Sequence, residues 1–283
     1  MEQEEILKRI MEGIERISPS PPDPPDFINA QSFIWKTKPN RFEIVKNNQA
    51  LNLDILVGID NVKNLLVENT KQFTKGFSAN NALLWGARGM GKSSLIKAVH
   101  SLFRSENLKL IEIRREDLSS LDVLIGIIRN INCQFIIFCD DLSFGDEEAD
   151  YKSLKALLDG GLDSRPENIL FYATSNRRHL IARDMIENES STAIHASESV
   201  EEKVSLSDRF GLWLGFHKCS QEQYFEMVRA YSELAKLDIK EEVLINQAVE
   251  WQQTRGSRSG RVAWQFISDL AGKNGINLVK KLG

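Results

Sequence analysis

Hydrophobic and polar positions along the chain divide it into three regions. Within residues 2–17 the apolar side chains recur at intervals of three and four, which predicts a short amphipathic helix. From about Leu56 to Phe216, short apolar runs alternate with segments of helical periodicity. After Phe216 only helical patterns follow, so we predict an N-terminal helix, an α/β body and a C-terminal helical region.

The apolar runs of the body predict five strands, and the amphipathic segments between them predict helices. The predicted strands are 82–85, 108–113, 135–139, 169–174 and 212–216, and the predicted helices are 93–103, 121–131 and 151–158. Strands that are apolar throughout are typical of a parallel sheet with helices on both faces. The pattern therefore indicates an α/β fold with three layers.

The segment after the N-terminal helix is rich in proline. Residues 18–25 hold five of the seven prolines of the chain, which favours an extended and semi-rigid spacer. The helix before this spacer has two interpretations. It is either an arm that packs on the body or a detachable helix that docks on a partner.

The C-terminal region begins with a capping signal, since Ser220 followed by Gln223 fits a capping box at the start of a helix. Further helices are predicted at about 241–254 and 260–271. We therefore divide the chain into a helix and linker at 1–26, an α/β domain at 27–217 and a small helical subdomain at 218–283.

Composition narrows the class of protein. The chain has 283 residues, of which 42% are hydrophobic and 27% charged, and this excludes fibrous and wholly disordered proteins. The net charge of −4 gives no support to broad electrostatic binding of nucleic acid or anionic membranes. We expect a cytoplasmic protein without disulfides. The N-terminus is acidic where a signal peptide would be basic, the three cysteines are scattered, and no apolar run approaches the length of about 20 residues that a membrane span requires.

A glycine-rich segment joins the first strand of the predicted body to the helix that follows it. Residues 86–93 match the pattern G-x-x-x-x-G-K-[ST] at each fixed position. Glycine allows backbone amides to turn toward a phosphate, and the start of the helix adds its positive dipole end. We expect Lys92 to reach the β- and γ-phosphates of a nucleotide, Ser93 to bind Mg²⁺ and Ser94 to lie near the α-phosphate. The predicted binding segment is Gly86, Ala87, Arg88, Gly89, Met90, Gly91, Lys92, Ser93 and Ser94.

Two acidic residues follow the apolar strand at 135–139. Ligand sites of parallel α/β sheets lie at the carboxyl ends of the strands, which is where Asp140 and Asp141 stand. Asp140 is the candidate for the metal, and Asp141 is the candidate for orienting or activating the attacking water. The alternative is that Asp141 or Ser143 caps a following helix.

In these motifs the chain resembles an AAA+ ATPase, and more narrowly the bacterial AAA+ family called domain of unknown function 815. The resemblance covers roughly residues 30–272, and its motifs occur in the order typical of the family. It implies a P-loop NTPase sheet of AAA+ type followed by a helical lid. The motifs are Leu56–Asp60, Gly86–Ser93, Cys139–Phe144, Ala173–His179, Leu206–Gly211 and Ser259–Arg261.

The resemblance also implies roles for residues outside the glycine-rich segment. Asn176 matches the sensor position that helps to place the attacking water, and Arg261 matches the second sensor on the lid. Arg209 matches the arginine finger, which reaches the nucleotide of a neighbouring subunit and so implies a homo-oligomer. From the residues alone, an ordinary ion pair is the simpler interpretation of either arginine. The adenine of ATP would be bordered by Val57, Gly58 and Ile59.

Two departures from the AAA+ pattern affect activity. Many AAA+ proteins carry Glu where this chain has Asp141, and the shorter side chain predicts slow hydrolysis because small misplacements of a catalytic group lower the rate strongly. Ring unfoldases usually carry an aromatic pore loop after the second strand. Here residues 114–119 contain no aromatic residue, so threading of a polypeptide through a pore is not favoured.

Charge is unevenly distributed near the C-terminal half. Residues 187–202 contain five Glu and neither Lys nor Arg, which predicts a polar loop that touches a neighbouring subunit or a client, or is simply solvated. Residues 251–283 contain six Lys and Arg against one Asp. These opposite charges could meet across a subunit boundary, or the basic region could contact nucleic acid.

The favoured function is an oligomeric ATPase that uses ATP and Mg²⁺ to remodel an unknown partner, which is either a protein client or a complex of protein and nucleic acid. One alternative is a nucleotide-dependent switch or adaptor without turnover, and another is a loader associated with DNA. A small-molecule P-loop kinase is less favoured because such enzymes carry an arginine-rich lid, whereas the insertion at 187–202 is acidic.

Overall fold

A seven-stranded sheet forms the centre of the computed structural model, which describes residues 2–17, 24–46, 52–143, 148–159, 166–177 and 206–278. The strands are β1 (Ser32–Lys36), β2 (Arg41–Ile44), β3 (Ala82–Gly86), β4 (Leu108–Ile113), β5 (Gln134–Cys139), β6 (Ile169–Ser175) and β7 (Leu212–Phe216). Their order across the sheet is β2-β1-β4-β5-β6-β3-β7. Only the β1–β2 pair is antiparallel among the described strands. The five predicted strands are therefore confirmed as the parallel part of the sheet.

Helices of the body cover both faces of this sheet, further helices form the C-terminal region, and one helix lies at the N-terminus. They are α1 (Glu2–Ile17), α2 (Asp60–Thr74), α3 (Lys92–Phe103), α4 (Leu121–Ile128), α5 (Glu148–Asp159), α6 (Gln221–Ala235), α7 (Glu241–Arg255) and α8 (Gly260–Lys273). The predicted capping box at the start of α6 is confirmed, because Ser220 and Gln223 exchange side chain–backbone hydrogen bonds of 3.1 Å.

Alternating side chains of the sheet feed two hydrophobic clusters. On β5, Ile136 and Phe138 belong to the cluster that contains α3 and the C-terminal helices, whereas Phe135 and Ile137 belong to the cluster that contains α4. All four side chains are fully buried. This alternation confirms the predicted three-layer fold, since a strand buried on both faces must pack against a layer on each side.

The hairpin of β1 and β2 was not predicted from the sequence. β1 pairs with β4 and extends the parallel sheet, and its Trp35 is fully buried. The indole of Trp35 donates a 2.8 Å hydrogen bond to the Ser120 hydroxyl, and the Thr37 hydroxyl donates to Asp117. These contacts fasten the 3₁₀ helix at Arg115–Ser120 to β1 and to the residue that follows it.

The N-terminal helix α1 confirms the predicted amphipathic pattern. Four of its apolar side chains are more than half exposed: Ile6, Leu7, Ile10 and Met11. Most of the proline-rich spacer, residues 18–23, lies outside the described residues, so the two interpretations of this helix stay predictions. None of the helices in the described ranges combines the length and apolar character of a membrane span.

The C-terminal helices pack directly on the α/β body. Tyr224 of α6 and Ile267 of α8 are buried in the same cluster as Leu95 and Ile96 of α3. The division of the chain at residue 217 stays a prediction. The shared cluster brings α6 and α8 beside the loop that follows β3.

Candidate functional site

The loop between β3 and α3 has a backbone that requires glycine at three positions. Gly86, Gly89 and Gly91 have φ angles of 123°, 73° and 90°, which side-chain-bearing residues rarely adopt. A Cβ at Gly86 would lie 2.1 Å from the carbonyl oxygen of Phe216 on the neighbouring strand β7. The glycine pattern therefore follows from backbone shape and from the close approach of two strands.

Lys92, the first residue of α3, is buried, with 7% of its surface exposed. Its ammonium group donates hydrogen bonds to the carbonyl oxygens of Gly86 and Ala87, both at 2.9 Å, and to Asn176 Oδ1 at 3.1 Å. Burial lowers the pKa of Lys92, and the charges of Asp140 and Asp141 act in the opposite direction. Lys92 therefore joins the start of the loop to Asn176, which follows the carboxyl end of β6.

The two acidic residues after β5 meet the loop across the intervening strand β6. Ser93 donates a 2.6 Å hydrogen bond from its hydroxyl to Asp140 Oδ1. Asn176 donates a 2.5 Å hydrogen bond from its side-chain amide to Asp141 Oδ1. The predicted residues of three different segments are therefore brought together at the carboxyl edge of the sheet, as the parallel topology requires.

A cleft of about 660 Å³ opens between this edge and the C-terminal helices. The loop from Arg88 to Ser94 forms one wall, with the acidic residues Asp140 and Asp141 and the predicted sensor residue Asn176 beside it. Val57 and Ile59 line the cleft, whereas Gly58 lies beside the Gln223 side chain and is not part of the lining, so a contact of these three residues with adenine stays a prediction. Gly86 and Ala87 lie behind the loop and contribute their carbonyl groups to Lys92.

The start of α8 closes the cleft on the side of the C-terminal helices. The backbone N–H of Arg261 donates a 3.0 Å hydrogen bond to the carbonyl of Gly89, and the Arg261 side chain lines the cleft. A Cβ at Gly89 would lie 2.8 Å from the Ser259 hydroxyl, so the loop and α8 approach each other closely. The start of α8 therefore contacts the loop between β3 and α3, which is the predicted phosphate loop.

Arg209 does not line the cleft of its own chain. It forms an ion pair with Asp159, at the end of α5, and its side chain is 26% exposed. The following residue, Phe210, and Leu206, three residues before Arg209, are buried in the cluster that contains α4. The ion pair that the residues alone suggested is therefore present, and a role for Arg209 toward a neighbouring subunit stays a prediction.

Several lining residues were not predicted from the sequence. Met227, Tyr231 and Trp264 reach the cleft from α6 and α8, and Thr174 reaches it from β6. Helical periodicity carries no information about which apolar side chain of a helix borders a cleft. The contacts of Thr174 depend on which strand lies beside β6, and the sequence pattern does not give the order of the strands.

The charged regions of the C-terminal half are only partly described. The acidic insertion at 187–202 lies outside the described residues, as do Lys280 and Lys281. Of the basic residues, Lys273 pairs with Asp269 at 2.7 Å, and Arg255 stacks on Trp251 at 4.9 Å from the ring centre. The predicted meeting of acidic and basic regions between subunits therefore stays a prediction.

The sequence matches the family model described as "Protein of unknown function (DUF815)" over residues 28–274. The chain belongs to this family. The match spans the sheet and the C-terminal helices of the DUF815 chain, and α1 lies outside it. A comparison with curated proteins finds no significant match.

Solved structures show which fold this DUF815 chain has. RuvB of Thermotoga maritima, described as a Holliday junction branch migration motor, aligns with a TM-score of 0.53 and 16% identity over 83% of this chain and 72% of RuvB. The AAA domain of FIGL-1 in complex with ADP aligns with a TM-score of 0.51 and 18% identity over 77% of this chain and 72% of that chain. The predicted AAA+ fold is thereby confirmed.

Proposed function

We propose that this protein is an ATPase that binds ATP with Mg²⁺ in the cleft between the phosphate loop and α8. The convergence of Lys92, Ser93, Asp140, Asp141 and Asn176 supports the proposal most directly. These residues come from three separate segments, and each one matches a position that the AAA+ resemblance assigns to ATP hydrolysis. A cleft of about 660 Å³ is also in the range of small-molecule sites.

The residues present fit a magnesium nucleotide. Mg²⁺ prefers oxygen ligands and is usually held by one or two carboxylates together with the phosphates of the substrate. Ser93 and Asp140 supply a hydroxyl and a carboxylate oxygen 2.6 Å apart. Phosphate oxygens of the substrate and water molecules would complete the coordination.

Each residue has a distinct role in this proposal. Ser93 and Asp140 hold Mg²⁺, which would neutralise charge on the phosphates. Lys92 supplies a buried positive charge beside the loop, where electrostatic stabilisation is strong because water is excluded. Asp141 and Asn176, joined by their hydrogen bond, orient the attacking water, and the Asp141 carboxylate accepts its proton. Val57, Ile59 and Arg261 contact the nucleotide from the lid side of the cleft.

Arg209 completes the site from a neighbouring subunit in this proposal. It is partly exposed and lies outside the cleft of its own chain, which agrees with a role at a subunit boundary. An arginine inserted at the γ-phosphate can raise the rate of phosphoryl transfer by about 10³–10⁵. Hydrolysis would then depend on a homo-oligomer, and the movement of α8 with the nucleotide would drive remodelling of a partner.

Phosphate release without any added acceptor tests the proposed activity. Wild-type protein should release phosphate from ATP at a slow but measurable rate that requires Mg²⁺, and Lys92→Ala should not. ATP binding without phosphate release would instead support a nucleotide-dependent switch. Phosphate transfer only in the presence of a small-molecule acceptor would support a kinase and contradict the proposal.

A further inference from the structure

Thr174, near the carboxyl end of β6, contacts each residue of the turn that carries the two acids. Its hydroxyl donates a 2.5 Å hydrogen bond to Asp140 Oδ1 and accepts a 2.9 Å hydrogen bond from the backbone N–H of Asp141. Its carbonyl accepts a 2.7 Å hydrogen bond from the backbone N–H of Leu142. Three consecutive residues after β5 are therefore held by one residue of the neighbouring strand.

The backbone of Asp141 explains why this turn needs support. Its φ angle is 54°, in the left-handed region that residues other than glycine adopt at a cost of about 1–3 kcal/mol. Such a conformation persists where surrounding contacts hold it. The hydrogen bonds to the amides of Asp141 and Leu142 supply these contacts on both sides of the Asp141 carbonyl group.

The carboxylate of Asp140 is oriented by two hydroxyl groups. Ser93 of α3 and Thr174 of β6 both donate a hydrogen bond to the same oxygen, Oδ1. Thr174 is 2% exposed, so its hydroxyl is not available to bulk solvent. A threonine hydroxyl can donate one hydrogen bond and accept others, and here it uses both capacities on the acidic pair.

We propose that Thr174 is the positioning residue of the acidic pair. Its hydroxyl sets the orientation of Asp140 toward Mg²⁺, and it holds the turn that presents Asp141 to the attacking water. This inference rests on the proposed ATPase function. Thr174 acts through the two carboxylates, so its removal should change the requirement for Mg²⁺ and the turnover while leaving metal-free binding of ATP intact.

The test compares Thr174→Val, which keeps the branched shape, with Thr174→Ser, which keeps the hydroxyl. Phosphate release is measured across a range of Mg²⁺ concentrations, and ATP binding is measured in EDTA. Loss of an outer partner of a metal ligand typically lowers metal affinity or activity by about 10–100-fold. Thr174→Val should show this loss in Mg²⁺ affinity or kcat, and Thr174→Ser should recover most of it.

Thr70→Val is the matched control. Thr70 is fully buried on α2, and its hydroxyl is hydrogen-bonded to the Leu66 carbonyl and to the Tyr172 hydroxyl, at 2.8 and 2.9 Å. It therefore loses a buried hydroxyl that does not contact the acidic pair, and it should lower stability without changing the requirement for Mg²⁺. Thr174→Ala provides a second variant without the hydroxyl, should valine disturb the packing of β6.

Two results would overturn the positioning role. One is a folded Thr174→Val or Thr174→Ala protein with wild-type kcat and wild-type Mg²⁺ dependence. The other is equal impairment of the serine and valine variants, because the hydroxyl that serine keeps would then not account for the effect. Failure of the proposed function looks different, because the wild-type protein itself would then release no phosphate from ATP. If it binds ATP without turnover, Mg²⁺-dependent affinity for ATP gives the same comparison.

Discussion

Asn176 donates its side-chain amide to Asp141 across 2.5 Å, while Asp141 holds a left-handed backbone. This relationship offers a physical reason for aspartate at a position where many AAA+ proteins carry glutamate. Aspartate and asparagine tolerate positive φ better than glutamate does, because their short polar side chains can bond locally. The shorter side chain of aspartate therefore suits the left-handed backbone at position 141.

Substitution Asp141→Glu should therefore slow hydrolysis rather than restore a faster AAA+ rate. The longer side chain strains the backbone and misplaces the carboxylate relative to Asn176, and a misplacement near 1 Å lowers rates by about 10²-fold. Steady-state phosphate release measures the effect. Asp141→Asn is the control, since it keeps the backbone preference and removes the charge. Faster turnover by Asp141→Glu would contradict the backbone explanation.

Arg209→Ala should leave ATP binding intact and abolish turnover, because the proposed finger acts on a neighbouring subunit. Its partner in the same chain provides a control: Asp159→Asn breaks the ion pair and keeps Arg209. The proposal predicts that Asp159→Asn retains turnover. Parallel losses of binding, stability and activity in both variants would assign Arg209 a structural role.

Mixing two inactive variants tests the action between subunits. Lys92→Ala keeps Arg209, and Arg209→Ala keeps the phosphate loop, so a hybrid interface contains one complete site. We expect phosphate release to reappear when the two proteins are mixed and to increase with total concentration. A mixture that stays as inactive as its components would contradict a finger supplied by a neighbour.

Gly86→Ala should destabilise the fold strongly. The added Cβ would meet the Phe216 carbonyl oxygen at 2.1 Å, and φ is 123°, so the pair of strands β3 and β7 must separate. Effects of this kind lower the free energy of unfolding by about 2–4 kcal/mol. Gly126→Ala in α4 is the control, because a Cβ there meets nothing within 4 Å and alanine favours a helix. Urea denaturation measures the free energy of unfolding, which should be lower than wild type for Gly86→Ala and higher than wild type for Gly126→Ala.

His100 should make the protein less stable as the pH falls. It is buried on α3, its Nε2 donates a 3.2 Å hydrogen bond to the Leu108 carbonyl, and burial lowers its pKa to about 4. The unfolded chain, with a histidine pKa near 6.5, binds the proton first, so stability is full above about pH 6.5 and is lost toward pH 4. This group alone should remove about 2 kcal/mol of the free energy of unfolding between pH 7.5 and pH 5.

His100→Gln isolates that contribution. Glutamine can still donate to the Leu108 carbonyl and does not titrate, so its stability should depend less on pH over the same range. Urea denaturation of both proteins at pH 7.5 and pH 5 gives the difference. Identical pH dependence of the two proteins would show that His100 does not carry the effect.

The sequence pattern predicted those strands and helices whose own residues show the apolar run or the periodicity of the element. The strands at 108–113 and 212–216 have the predicted bounds, because their apolar runs end at polar residues or turns. The hairpin of β1 and β2 was missed because β1 is stabilised by its pairing with β4, which lies far along the chain. Thr174 was missed for a similar reason, since its contacts depend on the order of strands in the sheet.

Binding of Mg²⁺-ATP by calorimetry tests the central claim most directly. The wild-type protein should bind in the cleft, and Lys92→Ala should lose most of this affinity. Lys97→Ala is the matched control, since Lys97 lies on the same helix and pairs with Glu112 at 3.6 Å, away from the loop. We predict wild-type affinity for Lys97→Ala. Equal affinity of Lys92→Ala and Lys97→Ala for Mg²⁺-ATP, or no binding by the wild-type protein, would contradict the account.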